Sequence, residues 1–362
     1  MAASLTTPLC TLLGIRHPIL LAGMAGGPTT PELVAAVTEA GGLGTFGAAG
    51  MRGDALADAV RRARELTDGP IAVNVLLAPS RPGTAEPEAL HTALAPIRDE
   101  LGLAPPTASP TPGPTALELI EIALEAGASV VSTGLGDPAP VVALARAAGV
   151  RVLAMVATVA DAVQAVASGA DVIVAQGSEA GGHRSNFHLP ESGPPPMVGT
   201  VALVPQIVAA VDVPVVAAGG LMNGSGLVAA LALGAQGIQL GTRFLRTTES
   251  GANAGYRDRL ATAADTDTEI ITAFSGRPAR GLRNRALDIL EAAGSPSIGY
   301  PRQGSAWADV KAASDRAGSA DATTLWAGQA AALAGDEISA GEVVAQIMAE
   351  AQATLRRLTT SG

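Results

Sequence analysis

The stretch AAGVRVLAMVATVADAVQAVASGADVIVAQ, residues 147–176, holds the reading that decides the fold. It opens on the end of an Ala-rich helical run, Ala147-Ala148-Gly149, and a short apolar run follows over 150–156. The unit then repeats: Ala167-Ser168-Gly169 closes a second helical run, and a second apolar run occupies 170–175. Glycine can take the left-handed conformation that ends a helix. A short continuous apolar run is what a strand covered on both faces requires.

Outward from this stretch the same unit recurs. Glu39-Ala40-Gly41-Gly42 leads into 43–46, Glu125-Ala126-Gly127 into 128–132, and Leu233-Gly234 into 235–240. Gly127 and Gly149 are 22 residues apart and Gly149 and Gly169 are 20 apart, which is room for one strand and one helix. Three more apolar runs, 18–23, 70–75 and 213–218, bring the total to eight. Alternating strands and helices imply a parallel sheet. Eight of them predict a closed (β/α)8 TIM barrel, an α/β fold, with an open doubly wound sheet as the alternative.

Two stretches fall outside the repeat. Residues 79–115 hold a helical pattern and then the Pro-rich run from Ala104 to Pro114, read as an extended surface loop. Residues 249–335 have weak periodicity but contain both tryptophans, Trp307 and Trp326, and both tyrosines, Tyr256 and Tyr300. They read as a smaller, mostly helical lobe inserted after strand eight. Ser339 and Glu342 spell a capping box. Val343, Val344, Ile347, Met348, Ala351 and Leu355 then share one helical face, so 339–358 is expected to be the last outer helix. The domain reading is a barrel over 1–248 and 336–362, with a substrate-covering lobe over 249–335.

Composition supports this frame. A chain of 362 residues suits a barrel plus an elaboration. Hydrophobic residues make up 48% but aromatics only 2%, so the core must be built from Ala, Val, Leu and Ile. A net charge of −10 repels nucleic acid and anionic membrane. Cys10 is the single cysteine, which excludes an intramolecular disulfide and makes a cytoplasmic location natural. No basic-then-apolar leader and no apolar run of about 18 residues is evident, so neither export nor a membrane span is expected. Lys311 is the only lysine.

In such barrels the ligand sits at the C-terminal ends of the strands. Strand one is followed by Ala22-Gly23-Met24-Ala25-Gly26-Gly27, where glycines let backbone approach a flat ligand, or simply form a tight turn. Strand three carries Asn74, whose amide can donate to and accept from a heterocycle edge, or bond backbone. Strand six ends in Gln176, followed by Gly177-Ser178-Glu179-Ala180-Gly181-Gly182-His183. An imidazole at that mouth can take a proton from carbon or stabilise an anion. A two-His metal site pairing His183 and His188 with Glu179 finds no further ligand at sensible spacing, so no metal is expected. Strand seven ends in Ala217-Ala218-Gly219-Gly220, and strand eight in Gln239-Leu240-Gly241-Thr242-Arg243. Barrels commonly hold a phosphate at these two places, on free N–H groups and a short helix N-terminus. Both clusters together point to a phosphate-bearing cofactor.

These residues resemble the nitronate monooxygenase family, formerly the 2-nitropropane dioxygenases, over nearly the whole chain. The resemblance rests on the stretch 18–27, on Asn74, on Gln176 with 177–183, on 217–220, on 239–244, on Phe274-Ser275-Gly276-Arg277-Pro278-Ala279-Arg280-Gly281, and on Trp326-Ala327-Gly328-Gln329. It implies a barrel with non-covalent FMN that oxidises alkyl nitronates, and nitroalkanes, with O2 to a carbonyl compound and nitrite, without nicotinamide. In that scheme His183 is the catalytic base or anion-stabilising group. Ala22, Gly23, Met24, Asn74, Gln176, Gly181, Gly182, Gly219, Gly220, Gln239, Leu240, Gly241 and Thr242 hold the cofactor. Tyr300 and Lys311 are expected to meet an anionic substrate, and a homodimer is admissible. Family members often carry proline in place of Gly23 and more aromatic residues around the pocket. The FMN-dependent enoyl-acyl-carrier-protein reductases share the Gly-Gly-His stretch but would need NAD(P)H. A flavin-binding module without turnover is the non-enzymatic alternative. Inosine-monophosphate-dehydrogenase-like barrels need a nucleophilic cysteine in a mobile loop, where Cys10 does not lie.

Overall fold

The computed structural model describes residues 5–104, 113–191 and 193–360. Its strands, in chain order, are β1 (Ile19–Leu21), β2 (Gly44–Gly47), β3 (Ile71–Leu76), β4 (Val130–Gly134), β5 (Arg151–Val156), β6 (Val172–Gln176), β7 (Gly182–His183), β8 (Val215–Ala218), β9 (Gly237–Leu240), β10 (Thr268–Ile271) and β11 (Ala279–Leu282). Eight of them form one parallel sheet in the order β1-β9-β8-β6-β5-β4-β3-β2. The sheet closes on itself: Leu21 N–H donates to Leu43 O at 2.9 Å, and Leu43 N–H to Ile19 O at 3.0 Å. The fold is therefore the (β/α)8 barrel, and the open sheet is excluded. The barrel's seventh and eighth strands are β8 and β9. Gly127, Gly149, Gly169 and Gly234 all have φ between 69° and 109°, the left-handed conformation expected where each helix ends.

Side chains alternate across each strand. One set, including Ile19, Leu21, Val73, Val131, Ile173 and Ile238, packs under the outer helices. The other set, including Leu20, Ala72, Val130, Leu153, Val174 and Val216, fills the barrel interior together with Leu9, Cys10 and Leu13. Those three come from the helix Pro8–Leu13, so Cys10 is buried in a plug away from the strands' C-terminal ends. Further along the interior-facing rows the residues become polar: Asn74, Ser132, Gln176 and Gln239. A packed apolar floor thus gives way to hydrogen-bonding groups at the end where barrels bind ligands.

The helix Ala340–Thr360 begins with the expected capping box: Ser339 N–H donates to Glu342 Oε2 at 2.9 Å, and Glu342 N–H to Ser339 Oγ at 3.2 Å. It buries Val343, Val344, Ile347 and Ala351 in the outer core and packs against the helices Gly224–Ala232 and Pro31–Glu39. No helix of the described residues is long and apolar enough to cross a membrane.

The segment after β9 holds the helices Ala254–Ala261, Arg285–Ala292, Arg302–Ala306 and Ala308–Arg316. It also holds β10 and β11, which the sequence did not suggest. These pair antiparallel, and β11 pairs in turn with β7, placing Ala279 opposite His183. The helix Pro87–Glu100, from the earlier non-repeating stretch, shares one apolar cluster with this segment through Leu90, Leu94, Phe274, Leu287, Leu290 and Trp307. Buried Arg98 on that helix donates two hydrogen bonds to Asp309, at 2.8 and 2.9 Å. Of the expected Pro-rich loop, residues 105–112 lie outside the described residues.

Candidate active site

A cavity of about 740 Å³ opens where the C-terminal ends of the barrel strands meet the segment after β9. It is walled by the loop after β1, the ends of β3, β6, β8 and β9, the β7 loop, and residues 300–330. The residues expected to serve as base, cofactor contacts and substrate contacts all lie on its wall: Ala22, Gly23, Met24, Asn74, Gln176, Gly181, Gly182, His183, Gly219, Gly220, Gln239, Leu240, Gly241, Thr242, Tyr300 and Lys311.

The interior polar residues are held in different ways. Asn74 pairs in register with Ser132 and donates to its Oγ at 3.0 Å, which leaves the Asn74 carbonyl oxygen available. Gln239 is buried at the wall, and its amide makes no hydrogen bond to another described residue. Gln176 behaves otherwise. It donates to His183 O at 2.8 Å and accepts from Ser185 N–H at 2.8 Å. Its amide therefore clips the loop that carries His183, with one N–H left over.

Gly219 and Gly220 have φ of +111° and +71°, a pair of conformations that glycine alone adopts freely. Gly241 caps the short helix Thr242–Leu245 beside them. The Thr242 hydroxyl accepts from Gly328 N–H at 3.0 Å, and Gln329 N–H donates to Glu179 O at 2.9 Å. The segment 326–329 thus crosses directly over the loops after β6 and β9. A Cβ on Gly181 would lie 2.7 Å from the Gly328 nitrogen, so this crossing demands glycine. Glu179 is committed elsewhere. Its carboxylate accepts from Thr200 N–H at 2.9 and 3.0 Å and from Thr200 Oγ1 at 2.9 Å, at the start of the helix Thr200–Ala210.

His183 stands on the cavity wall. Its Nε2 is 2.9 Å from Ser275 Oγ. Ser275 Oγ in turn donates to Arg277 O at 3.1 Å and accepts from Arg277 N–H at 3.2 Å. With the only hydroxyl proton so placed, Nε2 is assigned as the donor and Nδ1 as the basic nitrogen. The Trp326 and Tyr300 rings lie 5.5 and 6.3 Å from the imidazole. Burial, and then the charge of Arg277, lower the His183 pKa to about 4. The ring is therefore neutral at physiological pH.

Behind it lie three buried guanidiniums with one carboxylate among them. Arg184 donates to Gly177 O and Gln176 O, Arg280 to Ser178 O, and Arg277 to Asn186 O. Arg277 also lies 5.6 Å from the Tyr300 ring centroid. Burial, and then the charge of Arg280, pull Arg184 down to about 10, against the opposing charge of Glu179. The cavity thus abuts fixed positive charge, which favours anions inside it.

The residues that the motif reading did not single out are Ser132, Ser275, Trp326, Gly328, Asn253 and Asp315. Ser275, Trp326 and Gly328 stand inside the quoted motifs, so their types were visible but their positions were not. The few aromatics of the chain are concentrated here: Tyr256, Phe274, Tyr300, Trp307 and Trp326 all line the cavity.

Residues 6–350 match the family profile described as nitronate monooxygenase. A probable nitronate monooxygenase of Staphylococcus saprophyticus subsp. saprophyticus is 36% identical, covering 98% of this chain and 99% of the relative. A nitroalkane oxidase structure from Streptomyces ansochromogenes superposes with a TM-score of 0.86 at 35% identity, covering 97% of this chain and 99% of the other. The structure of FabK from Thermotoga maritima gives a TM-score of 0.77 at 31% identity, covering 98% and 99%.

Proposed function

The chain belongs to the nitronate monooxygenase family and is an oxidoreductase, and on that premise we propose that it binds FMN and oxidises alkyl nitronates with O2 to a carbonyl compound and nitrite. The observation that carries this reading is one cavity joining three features: the glycine turns after β8 and β9, a neutral His183, and the excess of buried guanidinium behind it.

The residues present fit FMN. Gly219, Gly220, Gly241 and Thr242 would take the phosphate, with Gly181 and Gly328 crossing beside it. The free ends of the Asn74 and Gln239 amides would meet the polar edge of the isoalloxazine, against Ala22, Gly23 and Met24. Gln176 and Gly182 would shape that wall rather than supply most of its hydrogen bonds. Bound there, FMN supplies the electron acceptor for the nitronate and the donor for O2.

The remaining chemistry is the chain's own. The positive field of Arg184, Arg277 and Arg280 draws a nitronate in as the anion. Ser275 orients His183 so that Nδ1 accepts a hydrogen bond or a proton, while its neutrality leaves the anion's charge to the field. Tyr300 and Lys311 close the substrate side, and the segment over 249–335 excludes bulk water. A small-molecule enzyme with one buried cysteine suits the cytoplasm.

The test is direct. The purified protein should be yellow, and heat should release FMN, identified by chromatography. An alkyl nitronate should bleach the bound flavin without air, and O2 should restore it with release of nitrite. A colourless protein that does not take up FMN would remove the cofactor from this reading. Bleaching by NADPH but not by nitronates would favour an enoyl reductase instead.

A further inference from the structure

The chain has two tryptophans, and both line the cavity. They use their indole N–H groups differently. Trp307 is buried, and its Nε1 donates to Phe274 O at 2.8 Å. Trp326 Nε1 makes no hydrogen bond to a described residue, and it is not one of the buried atoms sealed in without a partner. Its N–H stands open on a cavity-lining residue. The other edge of that ring is the one held by protein: a Cβ on Gly281 of β11 would stand 3.0 Å from Trp326 Cε3. The backbone beneath the ring is fixed as well. Trp326 O accepts from the hydroxyl of buried Tyr256 at 2.5 Å. On either side, Leu325 O accepts from Leu282 N–H at 2.9 Å, and Gly328 N–H donates to Thr242 at 3.0 Å. So held, the Trp326 ring centre lies 5.5 Å from that of His183.

We propose that the Trp326 indole is a substrate-binding donor, giving its N–H to an oxygen of the nitronate beside His183. The inference rests on the nitronate-oxidation reading and names a group that holds the reacting end. A donor is needed there because the charged candidates are spent. His183 gives its Nε2 proton to Ser275, so Nδ1 only accepts. The three guanidiniums donate to backbone carbonyls behind the wall. Their field attracts an anion without fixing where its oxygens lie. The Lys311 ammonium is paired with Asp315 at 2.6 Å. Tyr300, with its ring 6.3 Å from the imidazole, offers a hydroxyl that both donates and accepts. An indole N–H donates only, so it answers acceptor oxygens and nothing else. A nitronate spreads its negative charge over two oxygens, and hydrogen bonds to charged groups are the stronger ones.

With two tryptophans, a proton–nitrogen correlation spectrum of the full chain carries two indole peaks. Nitrite, an anion with the same O–N–O group, is titrated at constant ionic strength. The peak that Trp326→Phe removes should move downfield, and that of Trp307 should stay. By calorimetry Trp326→Phe should weaken nitrite about tenfold, the worth of a hydrogen bond to a charged group. It should also lower kcat/KM for ethyl nitronate about tenfold, mainly through KM. Trp307→Phe controls for the change of ring. It strips Phe274 O of its donor, so it should lower the urea midpoint and leave the nitrite Kd unchanged. Circular dichroism reports that each variant is folded, and if Trp326→Phe is not, Trp307→Phe assigns the two peaks. An unmoved Trp326 peak overturns the proposal, as does a wild type that binds no nitrite. Equal weakening in both variants overturns it too, since it would trace to cavity shape. Nitronate turnover with an unmoved peak strikes this inference alone. A moved peak without nitronate turnover strikes the functional reading and leaves Trp326 as an anion donor.

Discussion

His183→Asn separates the two chemistries that an imidazole at this position can serve. Burial and Arg277 hold the His183 pKa at about 4, against about 6.5 for a free side chain. Placing a proton on this ring therefore costs about 3 kcal/mol more than on an ordinary histidine, at 1.36 kcal/mol per pH unit. A neutral nitroalkane must lose a carbon-bound proton before it can be oxidised, and a preformed nitronate need not. General-base catalysis is typically worth about 10²–10⁴-fold, and so weak a base belongs at the lower end. We expect His183→Asn to lower flavin reduction by nitroethane about 100-fold. Ethyl nitronate should lose less than about tenfold, the worth of one hydrogen bond, because asparagine keeps an amide donor. The assay is anaerobic stopped-flow reduction of the flavin at pH 8, with each substrate in turn. Equal losses on both would refute the base role and leave anion binding. A wild-type kcat/KM profile that breaks near pH 6.5 and loses that break in the variant would refute the neutral imidazole itself.

Two further outcomes follow from the same geometry. Gly241→Asp puts a carboxylate at the start of the helix Thr242–Leu245; its Cβ would have only ordinary contacts, 3.4 Å to Ala22 Cβ and Met24 Sδ, so the barrel should fold with unchanged circular dichroism but bind FMN at least about 100-fold more weakly in a fluorescence titration, and wild-type affinity would place the phosphate elsewhere. Because the folded pKa of His183 lies below its unfolded value, the folded state takes up fewer protons, so the stability due to its neutral burial is complete above pH 6.5 and falls away toward pH 4; urea midpoints at pH 7 and 4.5 should show the wild type losing about 2–3 kcal/mol more than His183→Asn over that interval, and parallel losses would contradict the shift.

Much of this molecule is written in short-range sequence. Five of the eight strands were legible because each follows a helix-ending glycine, and φ at such a glycine is a local property; the other three were legible as short apolar runs. Gly219, Gly220, Gly241 and Thr242 were legible for the same reason: a turn beside a strand end is placed by the strand itself. What could not be read is where distant segments meet. Ser275 lies 92 residues from His183, yet their side chains touch. That contact exists because β11 pairs with β7, two strands too short to give a periodicity of their own. An aromatic content of 2% says nothing of a pocket until folding gathers five of those rings around it.

The sequence by itself determined the barrel, the two glycine turns and the place of His183 at a strand mouth, since each depends on residues close together in the chain. Only the tertiary structure decided that His183 is neutral, that the Gln176 amide is spent on the loop beside it, and that Asp315 answers the charge of Lys311. Those are matters of burial and of the charge across a cavity, and both depend on which remote segments enclose the group.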